Sequence, residues 1–262
     1  MKLKLIEKSK KNEKVTFLLE DSTPGFANAL RRAMMEQVPT MAIEEVEFRK
    51  NSSVLYDEII AHRLCLIPLK TDLKTYVLPE KCTCKGEGCA KCTLKFTLKA
   101  KGPCTVYSSE LKSKDPAVVP VFDNIPIVKL LKGQELELEA TAVLGRGAVH
   151  AKWSPCLAYY KYKPAIDFDE KAKNLEECTK ICPKGIYIKK GNKVAIDDDK
   201  LFDCHLCGAC VDVTEGDIKL NESDKDFIFT IEPWGQLSTK EIVSTAVDIL
   251  TEQAEEFKTA LR

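Results

Sequence analysis

The chain has 262 residues, 40 lysines and arginines against 40 aspartates and glutamates, and 12 cysteines. Its length predicts two or three domains, and the even charge lacks the basic excess that direct nucleic-acid contact leaves. No run of about eighteen apolar residues offers a membrane span, and Met1–Lys8 interleaves charges with apolar residues where a signal peptide would be apolar. A cytoplasmic, reducing compartment is therefore expected, where clustered cysteines bind metal more often than they pair.

Val15–Glu20 reads as a strand. Thr23 before Pro24 and Gly25 supplies a helix start, a capping hydroxyl ahead of a proline in the first turn. Phe26, Ala29, Leu30, Ala33 and Met34 then form one apolar stripe, with Arg31 and Arg32 beside it. The helix stops near Val38 and Pro39. Cys65, Cys104 and Cys156 are isolated and read as small buried hydrophobes. Cys82, Cys84, Cys89 and Cys92 crowd into eleven residues, with Gly86 and Gly88 permitting a tight reversal. They fit an all-thiolate zinc site, the alternative being an oxidised or metal-free loop. Lys81, Lys85 and Lys91 are expected to lower the thiol pKa values. Residues 94–98 and 136–140 alternate like strands.

Cys204, Cys207 and Cys210 have ferredoxin spacing, and Cys182 before Pro183 matches the remote fourth ligand. In the upstream half, Ala172 and Leu175 stand where the first two cysteines of a second set would be, and Thr214 replaces the last one downstream. One 4Fe–4S cluster on Cys182, Cys204, Cys207 and Cys210 is expected, with a 3Fe–4S form as its variant and Cys178 outside the ligand set. Disulfides, scattered core cysteines and zinc are the competing readings. Residues 164–215 carry few large apolar side chains, so their folding is expected to depend on the metal.

Residues 227–231 read as a strand, and Ser238 with Glu241 forms a capping box. The helix it opens runs about six turns to Leu261. Its apolar positions, including Ile242, Ala246, Val247, Leu250 and Phe257, cover more than one stripe and call for two partners, its own sheet and a second chain. Catalytic groups are scarce. Asp167, Asp169 and Glu170 fall short of a two-metal carboxylate cluster, residues 197–199 read as a solvated acidic turn, and His62, His150 and His205 lie in separate segments. The chain is not expected to be an enzyme by itself.

Residues 21–34, followed by Val38-Pro39-Thr40-Met41-Ala42-Ile43-Glu44, resemble the signature helix of RNA polymerase alpha-type subunits, and residues 145–155 are similar to that family's second hallmark. With the cysteine-rich insertion, the resemblance is to the archaeal D-subunit branch, in the form that carries a ferredoxin-like iron–sulfur insertion. It implies an α+β fold. The dimerisation domain would come from both chain ends, residues 1–45 and 227–262. A mostly β platform domain would span 46–163 and hold the four-cysteine loop at 82–92. A small ferredoxin-like cluster domain would cover 164–215, followed by a return segment at 216–226. It also implies a non-catalytic assembly subunit. Its partners would be the smaller alpha-like subunit (L), subunits N and P nearby, and the two large catalytic subunits. Arg31 and Arg32 would then face the large subunits, against the plainer reading of a solvated helix face. The rival function is a ferredoxin-like electron-transfer protein.

Overall fold

The structure, a computed structural model, describes residues 1–9, 14–167, 172–191 and 193–261. In chain order the elements are β1 (Lys2–Lys8), β2 (Val15–Glu20), α1 (Pro24–Arg32), β3 (Pro39–Asn51), α2 (Asp57–Cys65), β4 (Thr93–Lys101), β5 (Cys104–Tyr107), β6 (Lys112–Ser113) and β7 (Pro126–Leu130). Then come β8 (Glu135–Arg146), β9 (Cys156–Asp167), α3 (Leu175–Ile181), β10 (Tyr187–Lys190), β11 (Lys193–Ile196), α4 (Ala209–Val213), β12 (Lys219–Pro233) and α5 (Thr239–Ala260). The architecture is α+β, in two compact units.

One unit takes Met1–Lys8, Val15–Ala29 and the described residues of Tyr159–Thr230. Its sheet has the order β1-β2-β12-β9 and an aromatic core. Phe17 stacks on Phe229 at 5.3 Å, and Tyr160 meets Phe227 and Phe229 at 5.5 and 5.2 Å, contacts worth about 0.5–1.5 kcal/mol each beyond burial. The cysteine-rich region belongs to this unit. It has a small core, more than its composition predicts. Ile186, Tyr187, Val194 and Ile218 are buried there with Cys178, Cys204 and Cys210, so thiols make up three of the seven buried members.

The other unit takes Leu30–Ala158, Ile231–Arg262 and the described residues of Ser9–Lys14. Its sheet has the order β3-β8-β4-β6. Strict alternation along β8 puts Leu136, Leu138, Ala140 and Ala142 into a core with Phe96, Leu98, Ile60 and Leu64. Glu135, Glu137 and Glu139 take the opposite face, where Lys101 and Lys99 of β4 pair with Glu135 and Glu137 at 2.9 Å each, and Lys95 pairs with Glu139.

Thr23 Oγ1 accepts from the Phe26 amide at 3.3 Å, as the capping signal predicts. The buried stripe differs from expectation. Ala27, Leu30, Ala33 and Met34 are buried, while Phe26 is 37% exposed. The buried face is centred on positions 27, 30 and 34, and Phe26 lies one residue, about 100° of helix rotation, off it. The helix closes in a π-turn over Ala33–Gln37, and Arg32 pairs with Glu36 at 2.9 Å. The capping box of α5 is present, with the Glu241 amide donating to Ser238 Oγ at 3.3 Å and the Ser238 amide donating to Glu241 at 3.0 Å. Thr239, Ile242 and Ala246 are buried, whereas Val247, Phe257 and Leu261 are exposed. Cys156 is buried as expected, but Cys65 and Cys104 are only half-buried. Among the described residues, no helix is long and apolar enough to cross a membrane.

Candidate metal centres

The four-cysteine loop is shaped by its own backbone. The Lys85 amide donates to Cys82 O at 3.0 Å and the Glu87 amide to Cys84 O at 3.1 Å, and the Cys92 amide reaches Cys89 O at 3.0 Å. Lys85, Gly86 and Gly88 take positive φ to make these reversals. The Val77 amide donates to Lys91 O at 3.0 Å and closes the base. The sulfurs converge as a result. Cys82 lies 3.4 Å from Cys84 and 3.5 Å from Cys89, and Cys92 lies 3.5 Å from Cys84 and 3.8 Å from Cys89. Four thiolates held about 2.3 Å from one ion sit about 3.8 Å apart at tetrahedral corners. The set therefore fits a single tetrahedral metal ion, and among the described residues it is the one cysteine group drawn within 4.8 Å.

The thiols also act on one another. The Cys84 thiol is pulled down to about 6, first by Cys82 and then by Cys92, with the amides of Gly86 and Gly88 assisting, while burial pushes Cys92 up to about 12. The lysines expected to depress these thiols are not the cause, and Lys81 instead pairs with Glu252 at 3.2 Å.

The second set is arranged differently. Cys182 follows the end of α3, and Cys204 ends a 3-10 turn at Leu201–Asp203. Leu206 and Gly208 take positive φ, turning the chain so that Cys210 enters the first turn of α4. All four sulfur-bearing residues, Cys182, Cys204, Cys207 and Cys210, line one small cavity. Cys204 and Cys210 are buried, Cys182 is half-buried and Cys207 is exposed. Every cysteine of the chain is a free thiol. Thiols spaced around a cavity suit a multi-atom centre better than one ion. The donor chemistry fits an iron–sulfur cluster.

Cys178 does not line that cavity. It is fully buried, its sulfur 4.0 Å from Cys210 O. Ala172 and Leu175 pack against the surrounding core. Thr214 is also buried, and its hydroxyl donates to Cys210 O at 2.8 Å and accepts from the Ile218 amide at 3.2 Å. These positions serve packing and backbone bonding.

The remaining candidates fall apart. Residues 197–199 form a turn, with the Asp199 amide donating to Asp197 at 3.2 Å. Asp167 ends β9, and Asp169 and Glu170 lie outside the described residues. His62 lies in α2 and His205 at the thiol cavity, while His150 accepts the Lys152 amide at 3.0 Å. Sequence reasoning missed Tyr187 at the cavity wall; its one signal is the short apolar run of Ile186, Tyr187 and Ile188 that follows Gly185. It also missed how the two long motifs interlock. The Ala148 amide donates to Glu36 O at 2.9 Å, and Thr40 Oγ1 donates to Trp153 O at 2.7 Å. Lys152 donates to Ile43 O at 3.0 Å, pairs with Glu44, and lies 4.3 Å over the Trp153 ring.

Comparison with known proteins follows the same lines. The sequence model of the family described as RNA polymerase Rpb3/RpoA insert domain matches residues 43–155. The DNA-directed RNA polymerase subunit Rpo3 of Archaeoglobus fulgidus is 41% identical over 248 residues, covering 94% of this chain and 93% of its own. The subunit of the same name from Methanosphaera stadtmanae is 41% identical over 95% of this chain and 94% of its own, and that from Methanosarcina acetivorans 41% over 98% and 96%. With its insert domain placed and its likeness running almost end to end, the chain belongs to the Rpo3 family, the archaeal alpha-like subunits of DNA-directed RNA polymerase.

Proposed function

We propose that the chain is a non-catalytic, cytoplasmic assembly subunit of DNA-directed RNA polymerase. It pairs with the smaller alpha-like subunit (L), with subunits N and P nearby, and the pair forms the platform for the two large catalytic subunits. Near end-to-end likeness to Rpo3 subunits carries this reading. Residues 1–45 and 227–262 serve dimerisation, 46–163 the platform, 164–215 the cluster and 216–226 the return. The exposed apolar positions Val247 and Phe257 of α5 support a helix awaiting a partner. The relatives named above are polymerase subunits, which favours assembly over electron transfer.

Cys182, Cys204, Cys207 and Cys210 hold one 4Fe–4S cluster, and Cys82, Cys84, Cys89 and Cys92 hold one zinc ion. The cavity walls and the tetrahedral sulfur spacing support these assignments. Each centre, when bound, cross-links its segment at four points, and the cluster can in addition hold an electron; its role is structural or regulatory.

Anaerobic purification with metal counts tests the ligands. About four irons and one zinc per chain are expected. Cys207→Ser should lower the iron and Cys178→Ser should not; about eight irons would overturn the single-cluster assignment. Co-expression with the smaller subunit tests the platform. Deleting the chain after Ser238 should abolish pairing. Reversible electron exchange with a reductase, without co-purification of the large subunits, would favour the electron carrier.

A further inference from the structure

A cation stands beside the thiol cavity without a carboxylate to match it. Lys161 lies on β9, half-buried, and its Nζ donates to Cys204 O at 3.0 Å. Two residues along the same strand, Lys163 reaches two carboxylates, Glu20 at 3.7 Å and Asp226 at 3.4 Å. Among the described residues Lys161 has none within 4.0 Å, Asp203 included. An ammonium partly withdrawn from water is costly when its acceptor is a neutral carbonyl, unless an anion lies close by.

The carbonyl it holds belongs to the first cysteine of the triplet. Cys204 is 7% exposed, and each of its polar atoms has a protein partner. Its amide donates to Leu201 O at 3.2 Å, its sulfur receives the Leu206 amide at 3.5 Å, and its oxygen takes the Lys161 ammonium. Two of these bonds are local to the loop. The third comes from a strand 43 residues away and ties the ligand to β9. A cysteine's own oxygen and sulfur are at most about 5 Å apart by covalent geometry, so the ammonium lies within about 8 Å of Cys204 Sγ. Lys184, two residues after Cys182, lines the same cavity. Two cations repel each other, and gathering them at one cavity is favourable when an anion sits between them. A cluster on four thiolates is such an anion, and it gains one more negative charge on reduction.

We propose that Lys161 is the backbone anchor and counter-cation of the iron–sulfur centre, fixing the Cys204 ligand and raising the reduction potential of the cluster, an inference that rests on the ligand set proposed above. Lys161 is a positioning residue, since it binds no iron. Its charge stabilises the reduced form more than the oxidised form. At an effective dielectric constant of about 20, one charge about 8 Å away shifts a one-electron equilibrium by about tenfold or more.

The test uses the full-length chain, purified or reconstituted without oxygen and titrated by electron paramagnetic resonance, with iron and sulfide counted in each sample. Lys161→Met keeps the stem and removes charge and donor. It should lower the midpoint by about 59 mV, a tenfold change in a one-electron equilibrium, and lose iron to a chelator faster than the parent. Lys161→Arg keeps charge and donor and should hold the midpoint within less than half of that shift. A role in packing alone predicts no such dependence on charge. An unshifted midpoint in the iron-replete Met variant, or equal shifts in Met and Arg, overturns the proposal. Where the Met variant holds no iron, the Arg variant decides: restored iron with a midpoint near the parent's supports the proposal, and an empty Arg variant overturns it. Full iron in Cys204→Ala, or no cluster in the parent chain, removes the ligand set itself, an outcome the iron count separates from failure at Lys161.

Discussion

Replacing Gly145 with alanine should loosen the joint between the two family motifs. A Cβ at that position would lie 2.3, 2.4 and 2.8 Å from three atoms of the Trp153 ring. Ordinary contact begins near 3.4 Å, so the ring must retreat by about 1 Å. It has little freedom to do so. Trp153 Nε1 donates to Val143 O at 3.2 Å, Lys152 covers the ring, and the Trp153 carbonyl is held by Thr40. Overpacking of this kind costs about 1–3 kcal/mol, and stretching the indole bond adds about 1 kcal/mol. A loss of about 2–4 kcal/mol should lower the melting temperature by roughly 5–15 °C for a unit of this size. Near-ultraviolet circular dichroism reads it directly, because the chain has only two tryptophans. Gly25→Ala is the control, with nothing within 4 Å of its Cβ and a helical position that favours alanine. If Gly145→Ala melts within about 1 °C of the parent, the ring is not locked and the argument fails.

Two further outcomes concern the four-cysteine loop and the charged face of β8. Cys92 is 1% exposed and immediately precedes β4, so Cys92→Ser should abolish zinc binding and expose residues 82–92 to protease while the Phe96 core persists; full zinc retention would refute the tetrahedral assignment. The row Glu135, Glu137 and Glu139 is held below the ordinary glutamate range, first by hydrogen bonds from Lys101, Lys99 and Lys95 respectively. Depressed acid pKa values stabilise above the unfolded value of about 4.3 and lose that contribution as pH falls through the folded values. The urea midpoint should therefore drop below about pH 4, less steeply in 1 M salt, and an unchanged acid limb in Glu135→Gln would contradict this.

Signals confined to a few consecutive residues were legible. The Thr23 cap, the Ser238–Glu241 box and the tight spacing of Cys82, Cys84, Cys89 and Cys92 depend on local geometry, and the structure forms the two caps and draws those four thiols together. Longer patterns were harder. β3 runs for thirteen residues, but register shifts between Ile43 and Glu45 and between Phe48 and Lys50 break its alternation, so it does not read as one strand. Phe26 was placed in the core by its spacing with Leu30, Ala33 and Met34, whereas the buried face is centred one residue on and turns Ala27 inward. The lysines around the four-cysteine loop suggested the wrong cause for a low thiol pKa. Sequence proximity gives no directions, and the sulfurs and amides that act on Cys84 are brought there by the loop's turns.

The pairing of β3 with β8, from Pro39 against Arg146 to Asn51 against Leu136, has a consequence for synthesis. A ribosome adding roughly 5–20 residues per second finishes β3 well before its partner exists. The intervening stretch of about 100 residues imposes a wait of roughly 5–20 seconds. β2, already paired with β1 on one edge, waits about twice as long for β12 on the other. During these intervals the nascent chain shows an unpaired apolar strand, with Met41, Ala42 and Ile43 that will later be buried. Such open edges invite pairing with other chains. The ordering of contacts along the chain thus makes newborn protein depend on chaperone cover or early partner capture, a demand set by topology before any polymerase is assembled.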